Sequence, residues 1–371
     1  MLAHEAPRAP ADPMAESCVL PPPAAEASAT AALVRFLADP ASHRPRPAQV
    51  QSIETHISWV FLVDDLAYKL KKPVAQAFLD FRTLAAREAD CRDEVRLNRR
   101  LAPGIYLGLT RIVRAADGTL ALADENGAAA PAGETVDWLV RMRRLPAART
   151  LDALIGAGTL TAAHVTALGA LLGSFYGHLP PADLDAAGYV ALLRSQHALN
   201  VDVLRRAPPG VGDHAVRRVL DAVERFLDRE SARLAERIAA GRVVEGHGDL
   251  RPEHVFLLES PVVIDCLEFS RSLRLVDWAD EIALLDVECA RLGAVRVGPA
   301  LRAAVGAALD DAVDDRLFAF YAALRASLRA RLALAHLDEP HPRTPRRWPQ
   351  LAADYLALAL PRAQQLAAAG R

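Results

Sequence analysis

The chain has 371 residues, 52% of them hydrophobic and 24% charged, enough apolar material for one large two-lobed unit or two domains. A formal net charge of −2 gives no electrostatic basis for a nucleic-acid or anionic-membrane partner, and no apolar run approaches the length of a transmembrane helix. The 4 cysteines (Cys18, Cys91, Cys266, Cys289) are scattered without a C-x-x-C, which argues against a disulfide framework or a zinc site and for a reducing compartment.

Residues 1–45 are rich in Ala and Pro, including Pro21-Pro22-Pro23. The segment is expected to be disordered, apart from a short helix around Ala31 to Leu37. It shows no basic region followed by an apolar one, so no secretory signal is expected and the cytoplasm is the default location. From Val50 the pattern becomes strand-like. Ile57 to Leu62 is apolar and β-branched, Asp64-Asp65 marks a turn, and Ala67 to Leu70 returns. Of the 44 Lys and Arg residues only three are Lys, all within Lys69, Lys71 and Lys72. A chain that uses Arg elsewhere keeps Lys where a compact ammonium must fit against anionic oxygens. Alternation places Ala67, Lys69 and Lys71 on one strand face.

Thr83 to Leu101 reads as a helix capped by Thr83, with Leu84, Cys91, Val95, Asn98 and Leu101 along one face and Pro103-Gly104 after it. Tyr106 to Val113 and Leu120 to Leu122 flank an Asp117-Gly118 turn. Val136 to Met142 forms a further strand, so a five-stranded sheet with one helix is expected before Pro146. Thereafter the periodicity predicts helices over Thr161 to His178, Val190 to Arg206, one long helix from Asp213 to Ala240, Asp314 to Leu337 and Leu351 to Ala369.

Between these helices lies His247-Gly248-Asp249-Leu250-Arg251-Pro252-Glu253-His254, followed by an apolar hairpin. Val255 to Leu258 and Val262 to Asp265 are its strands, with Glu259-Ser260-Pro261 as the turn. Pairing of the two strands sets Asp265 beside His254. Two imidazoles and two carboxylates therefore converge at one hairpin end. Asp277 precedes a helical pattern and is placed to cap it.

This stretch resembles the catalytic loop H-R-D-L-x-x-x-N and the following metal-binding Asp of kinase-like phosphotransferases. His247, Asp249 and Leu250 fall in register, and Gly248 and Pro252 match the H-G-D-x-x-P-x-N form of aminoglycoside phosphotransferase-like proteins. The wider text through Val263 to Phe269 is similar to a bacterial branch of that family, some members of which carry a second, P-loop ATPase domain. No G-x-x-x-x-G-K-[ST] occurs in this sequence. His254 stands where the pattern has Asn.

The resemblance implies an α+β, bilobal protein-kinase-like fold. Residues 46–146 would form a nucleotide-binding lobe, with a small antiparallel sheet plus one helix. Residues 147–371 would form a larger helical lobe holding the loop and the hairpin. It implies transfer of the γ-phosphoryl group of ATP or GTP, with Mg2+ or Mn2+, to a hydroxyl of a small molecule. Asp249 would be the catalytic base, and Arg251 would stabilise charge on the transferring group. Lys69, or alternatively Lys71, would pair with phosphate oxygens. Glu94, with Glu88 as alternative, would fix that lysine. Thr55 to Ser58 would cover the phosphates, with Ser58 and Met142 among the nucleotide contacts and the connector from Arg141 to Leu145 at the base through its backbone. Asp265 and His254 would hold the metal, and Asp277 would support the loop. A nucleotide-binding pseudokinase is the alternative. A metal-dependent phosphohydrolase built on His247, Asp249, His254 and Asp265 is a third reading, which leaves Lys69 without a role.

Overall fold

Alternating apolar positions build the N-terminal part around a sheet. The computed structural model describes residues 24–76, 79–125, 133–208, 210–338 and 344–368. Helix α1 (Ala24–Ala38) precedes strands β1 (Val50–Glu54), β2 (Ser58–Val63) and β3 (Leu66–Lys71). The Val63–Leu66 pair closes the two-residue turn at Asp64-Asp65, and Asp64 takes a positive φ of 49°, which Asp tolerates better than most residues. A short pair, β4 (Ala75–Gln76) and β5 (Leu79–Asp80), leads to helix α2 (Leu84–Asn98). Strands β6 (Tyr106–Arg114), β7 (Leu120–Asp124) and β8 (Glu134–Arg143) follow.

The main sheet runs β1-β2-β3-β8-β6-β7, all antiparallel. It has six strands, not five, because Val50–Glu54 adds along β2 at the edge. Period-2 alternation gives the sheet two apolar faces. Tyr68 and Leu70 pack with Leu33 and Leu37 of α1, whereas Ala67 packs with Cys91 and Val95 of α2 and with Val140 and Met142 of β8. The short helix expected around Ala31 to Leu37 is present within the longer α1, where alanines favour helix and two leucines find a sheet to cover. Residues 1–23 lie outside the described residues.

Helix α2 begins where the sequence indicates: the Thr83 side chain accepts from Ala86 N at 3.1 Å. Its orientation on the sheet is held by a buried ion pair, Arg87 Nε to Asp137 Oδ1 at 2.9 Å.

The remainder is mostly helical: α3 (Leu151–Gly156), α4 (Ala162–His178), α5 (Ala186–Leu204), α6 (Asp213–Arg229) and α7 (Ser231–Ala239). Four short strands carry the loop region, namely β9 (Val243–Glu245), β10 (Val255–Phe256), β11 (Val262–Val263) and β12 (Leu275–Asp277). Helices α8 (Trp278–Arg291), α9 (Val297–Ala308), α10 (Asp315–Ala335) and α11 (Arg347–Ala368) complete it. Trp278, Tyr189, Tyr321 and Tyr355 are fully buried in the core of this part. No helix among the described residues is long and apolar enough to cross a membrane.

Two details differ from the sequence reading. The helix expected over Asp213 to Ala240 is broken at Glu230, which leaves helical geometry at φ −127° and ψ 16°. Neither Gly nor Pro marks the break. Instead the Glu230 carboxylate is gripped by Arg316 of α10 and by Arg233. The strands of the hairpin are also shorter than expected, because the Leu257 N–H donates to Arg149 O and leaves the ladder.

Candidate active site

The segment from Gly246 to Asp249 is shaped by a carboxylate from α8. Glu281 Oε2 accepts from His247 N at 3.0 Å and from Tyr176 Oη at 2.8 Å, and its other oxygen accepts from Gly248 N. Gly248 has φ +87°, a conformation that a side chain disfavours. A Cβ at Gly246 would come within 2.5 Å of Glu281 Oε2, so glycine there permits the close approach. His247 is buried. Its Nε2 is 2.9 Å from Ile264 O, and its Nδ1 accepts from Asp249 N at 3.3 Å. Burial holds His247 below its ordinary pKa, so it is the neutral ring that spaces loop and hairpin.

Below the loop, β9 pairs with β12, and Asp277 sits opposite Val243. Asp277 Oδ1 accepts from Ala279 N at 3.0 Å, capping α8. Arg237 binds both of its oxygens, at 2.6 and 3.0 Å. Arg100, just past α2, donates to the carbonyls of Glu245 and Gly246, each at 2.7 Å. Asn98 Oδ1 accepts from Cys266 N at 2.8 Å. The end of α2 is thus bonded directly to the loop and to the hairpin exit.

Asp265 leaves the hairpin with φ +60°, and its N–H donates to Tyr106 Oη at 3.2 Å. Its carboxylate meets Lys69: Nζ is 3.0 Å from Asp265 Oδ1 and 2.9 Å from Glu94 Oε1. Lys71, two residues on and on the same strand face, reaches the other oxygen of Glu94 at 2.6 Å and Asp90 Oδ2 at 2.5 Å. It also pairs with Glu268. Only Lys69 of the two lines the cleft; Lys71 is buried behind it. Glu88 instead pairs on the exposed face with Arg92.

The charges reinforce one another. Burial pulls the Lys69 ammonium down, but Asp265 and Glu94 more than offset it, and its pKa lies well above the usual lysine value. Burial likewise opposes ionisation of Asp265, and Lys69 outweighs it, so the carboxyl lies well below its ordinary range. Asp249 is also lowered: burial acts against it, while the Arg251 guanidinium outweighs burial. Both carboxylates are therefore ionised at neutral pH.

Sheet and hairpin enclose a cleft of about 530 Å³ that receives these groups. Val60, Leu62, Ala67, Ile105, Met142 and Phe256 make one part apolar, and Lys69, Asp249, Arg251, His254 and Asp265 make the other charged. The turn from Thr55 to Ser58 lies over it. Ser58 Oγ is 2.8 Å from Thr55 Oγ1, so this hydroxyl ties the turn. His56 meets the ring of His336 with centroids 5.0 Å apart. At the connector, Arg143 N donates to Ile105 O at 2.9 Å and Arg144 N to Asp65 O at 2.7 Å, so these two backbone donors are used within the protein.

Among the described residues, no group of three or more His, Cys, Asp or Glu side chains is arranged to hold a metal ion. The phosphohydrolase ligand set does not form, because both ring nitrogens of His247 are engaged by backbone. Asp265 alone fits a harder requirement: Mg2+ in phosphate sites needs one or two carboxylates and completes its shell with phosphate and water. The Asp265 side chain is 47% exposed and faces the cleft. His254 fits poorly as a ligand, since its Nε2 is 3.1 Å from Arg251 Nη2. Sequence reasoning did not single out Tyr106, Asn98, Arg100, Glu268 or Glu281 for the site. Their partners are distant in the chain, and no local spacing marks them.

No protein-family model matches the chain. Uncharacterized proteins of Mycobacterium tuberculosis and Mycobacterium bovis are 31% identical over 292 residues, covering 78% of this chain and 55% of theirs. The chain thus spans about half the length of the curated relatives it matches. Among solved structures, a choline/ethanolamine kinase family protein from Mesorhizobium loti superposes with a TM-score of 0.51 at 13% identity, covering 91% of this chain and 99% of that one. Choline kinase from Cryptosporidium parvum gives 0.52 at 11% identity, covering 91% and 97%. The order of sheet, helix, connector and helical lobe agrees with these likenesses. The chain therefore has a bilobal protein-kinase-like fold similar to that of these choline and ethanolamine kinase structures.

Proposed function

We propose that the chain is a phosphotransferase that moves the γ-phosphoryl group of ATP or GTP to a hydroxyl of a small molecule. The observation that carries this reading is the Lys69–Glu94–Asp265 chain of contacts, at 2.9 and 3.0 Å, facing Asp249 across the charged part of one cleft. The purine would lie between Ala67, Met142 and Phe256, and the phosphates would reach toward Lys69 beneath the Thr55–Ser58 turn. A divalent ion held by Asp265 would bridge the phosphate oxygens and neutralise their charge. Lys69, fixed by Glu94, supplies a compact positive charge to the same oxygens. Asp249 accepts a hydrogen bond from the acceptor hydroxyl, aligns its oxygen with phosphorus and takes the proton as the bond forms. Its lowered pKa makes it a weak base, so orientation carries more of its contribution than proton uptake.

Three carboxylates of the helical part, Asp311, Asp314 and Asp315, are engaged away from the cleft. Asp311 pairs with Arg237, Asp314 with Arg233 and Asp315 with Arg302, and none of them lines the cleft. This gives no support to a polycationic acceptor. Neither the charge pattern nor the helices support a nucleic-acid or membrane partner, and the reading keeps a small molecule in that place.

A nucleotide-binding protein without turnover is the second reading, favoured by His254 at the position of the usual Asn. An acceptor screen with γ-labelled ATP, run beside a nucleotide-dependent melting shift, separates the two. Label transfer supports the phosphotransferase, and binding without transfer across the screen supports the second reading. No binding of either ATP or GTP overturns both.

A further inference from the structure

Arg251 stands two residues after Asp249, and its guanidinium is shared among three side chains. Nε donates to Asp249 Oδ2 at 2.9 Å, Nη1 lies 2.7 Å from Glu253 Oε1, and Nη2 lies 3.1 Å from His254 Nε2. A guanidinium only donates, so the imidazole supplies the lone pair in the third contact. The other ring nitrogen leads to the same assignment. His254 Nδ1 is 2.9 Å from the carbonyl oxygen of Asp249, which only accepts. His254 is therefore the Nδ1–H tautomer with Nε2 turned to Arg251. The same nitrogen is 3.4 Å from Asp265 Oδ2. The side chain is buried, and both nitrogens are engaged where it lies.

In protein kinases the residue at this place in the loop is an Asn that holds a second Mg2+. Mg2+ takes oxygen ligands, and an imidazole whose lone pair already faces a guanidinium offers it nothing. The positive charge bonded to Asp249 is instead the permanent one of Arg251. We infer that Arg251, oriented by His254, supplies the charge that a second metal ion would bring, so that the site works with a single ion on Asp265.

This inference rests on the phosphotransferase reading. In the step, the bond from the γ-phosphorus to the β–γ bridging oxygen breaks, and its electron pair stays on the departing nucleoside diphosphate. The acceptor oxygen forms the new bond to phosphorus, and its proton passes to Asp249. Charge in between is spread over the three equatorial oxygens, which a planar fork of N–H donors can contact in pairs. Arg251 is the catalytic residue in this scheme. His254 touches no substrate and is a positioning residue.

The test is the number of Mn2+ ions bound per nucleotide, counted by electron paramagnetic resonance on the full chain with the β,γ-imido analogue of ATP. One ion per nucleotide is expected for the wild type. The double substitution His254→Asn with Arg251→Ala restores an oxygen ligand and removes the cation, and it is expected to bind two. Two ions in the wild type, or one in a folded double variant, overturns the inference and leaves the phosphotransferase reading standing. Failure to bind the analogue overturns that reading and the inference with it. A second measurement compares kcat for nucleotide hydrolysis. Arg251→Ala and His254→Ala should each lower it by on the order of 10²–10³, with nucleotide affinity unchanged, and together no further than either alone. Losses that multiply in the double variant overturn the positioning role.

Discussion

Lys69 Nζ and Asp265 Oδ1 lie 3.0 Å apart although 196 positions separate them in the chain. The same ammonium meets Glu94 at 2.9 Å, so a single charge joins strand β3, helix α2 and the exit of the hairpin. Phosphate oxygens entering the cleft would compete with Asp265 for Lys69. Under the proposed function Asp265, which is already ionised, would then hold the divalent ion. The site is thus charged in advance, with opposite signs held within hydrogen-bonding distance.

Lys69 and Lys71 should behave differently when removed. A ligand at a hundred times its Kd stabilises the folded state by about 2.7 kcal/mol, and Lys69→Ala should abolish most of the melting shift given by Mg-ATP. Lys71→Ala should instead lower stability without ligand by ~3–5 kcal/mol, since it leaves Asp90, Glu94 and Glu268 buried without their shared cation. Thermal and urea melts with and without nucleotide measure both. Equal behaviour of the two variants would contradict the assignment of Lys69 to the cleft.

Asp249→Asn keeps the shape of the side chain and removes its charge. Turnover should fall by about 10²–10⁴, while nucleotide affinity stays within a few-fold of wild type. Steady-state rates set beside the melting shift provide the check, and unchanged turnover would remove Asp249 from the mechanism.

Glu281→Gln probes the support beneath the loop. Glu281 receives His247 N, Gly248 N and Tyr176 Oη, and an amide can accept on only one of its two ends. The expected cost is ~1–3 kcal/mol of stability together with a fall in kcat, because the loop that presents Asp249 loses a backbone anchor. A denaturant titration and a rate measurement on the same sample would show whether the two effects occur together.

Asp311 yields a prediction about pH. Burial would raise its carboxyl, but hydrogen bonds from Arg237 and Trp278 outweigh that and hold it below the ordinary value. A carboxyl depressed on folding contributes stability that is fully present above the unfolded value, about 3.9, and lost as pH falls through the folded one. Asp311→Asn should therefore destabilise by about 1.5–3 kcal/mol at pH 7, with the gap to wild type closing below about pH 4. Urea melts of both proteins between pH 3 and pH 7 measure the gap, and a constant gap across that range would refute the argument.

Much of the local structure was legible before any coordinates. Thr83 caps α2, and the two-residue turn at Asp64-Asp65 joins β2 to β3, as their side chains indicate. The hairpin after the loop was legible in kind, but its strands stop after two residues because Leu257 bonds to Arg149. The break at Glu230 had no local sign at all. It arises from arginines that arrive from α10 and from the next turn, and helix periodicity is blind to such partners.

The sequence by itself determined that Lys69 and Lys71 share a strand face and that Asp249, His254 and Asp265 cluster at one hairpin end. Both follow from the period of a strand and from short spacing. Only the tertiary structure decided which lysine looks into the cleft. Both reach Glu94, and the position of Asp265 relative to β3 separates them. It likewise decided that His254 turns its lone pair to Arg251. The physical reason is the same in each case. Backbone periodicity states which way a side chain points, whereas its partner is set by packing between segments far apart in the chain.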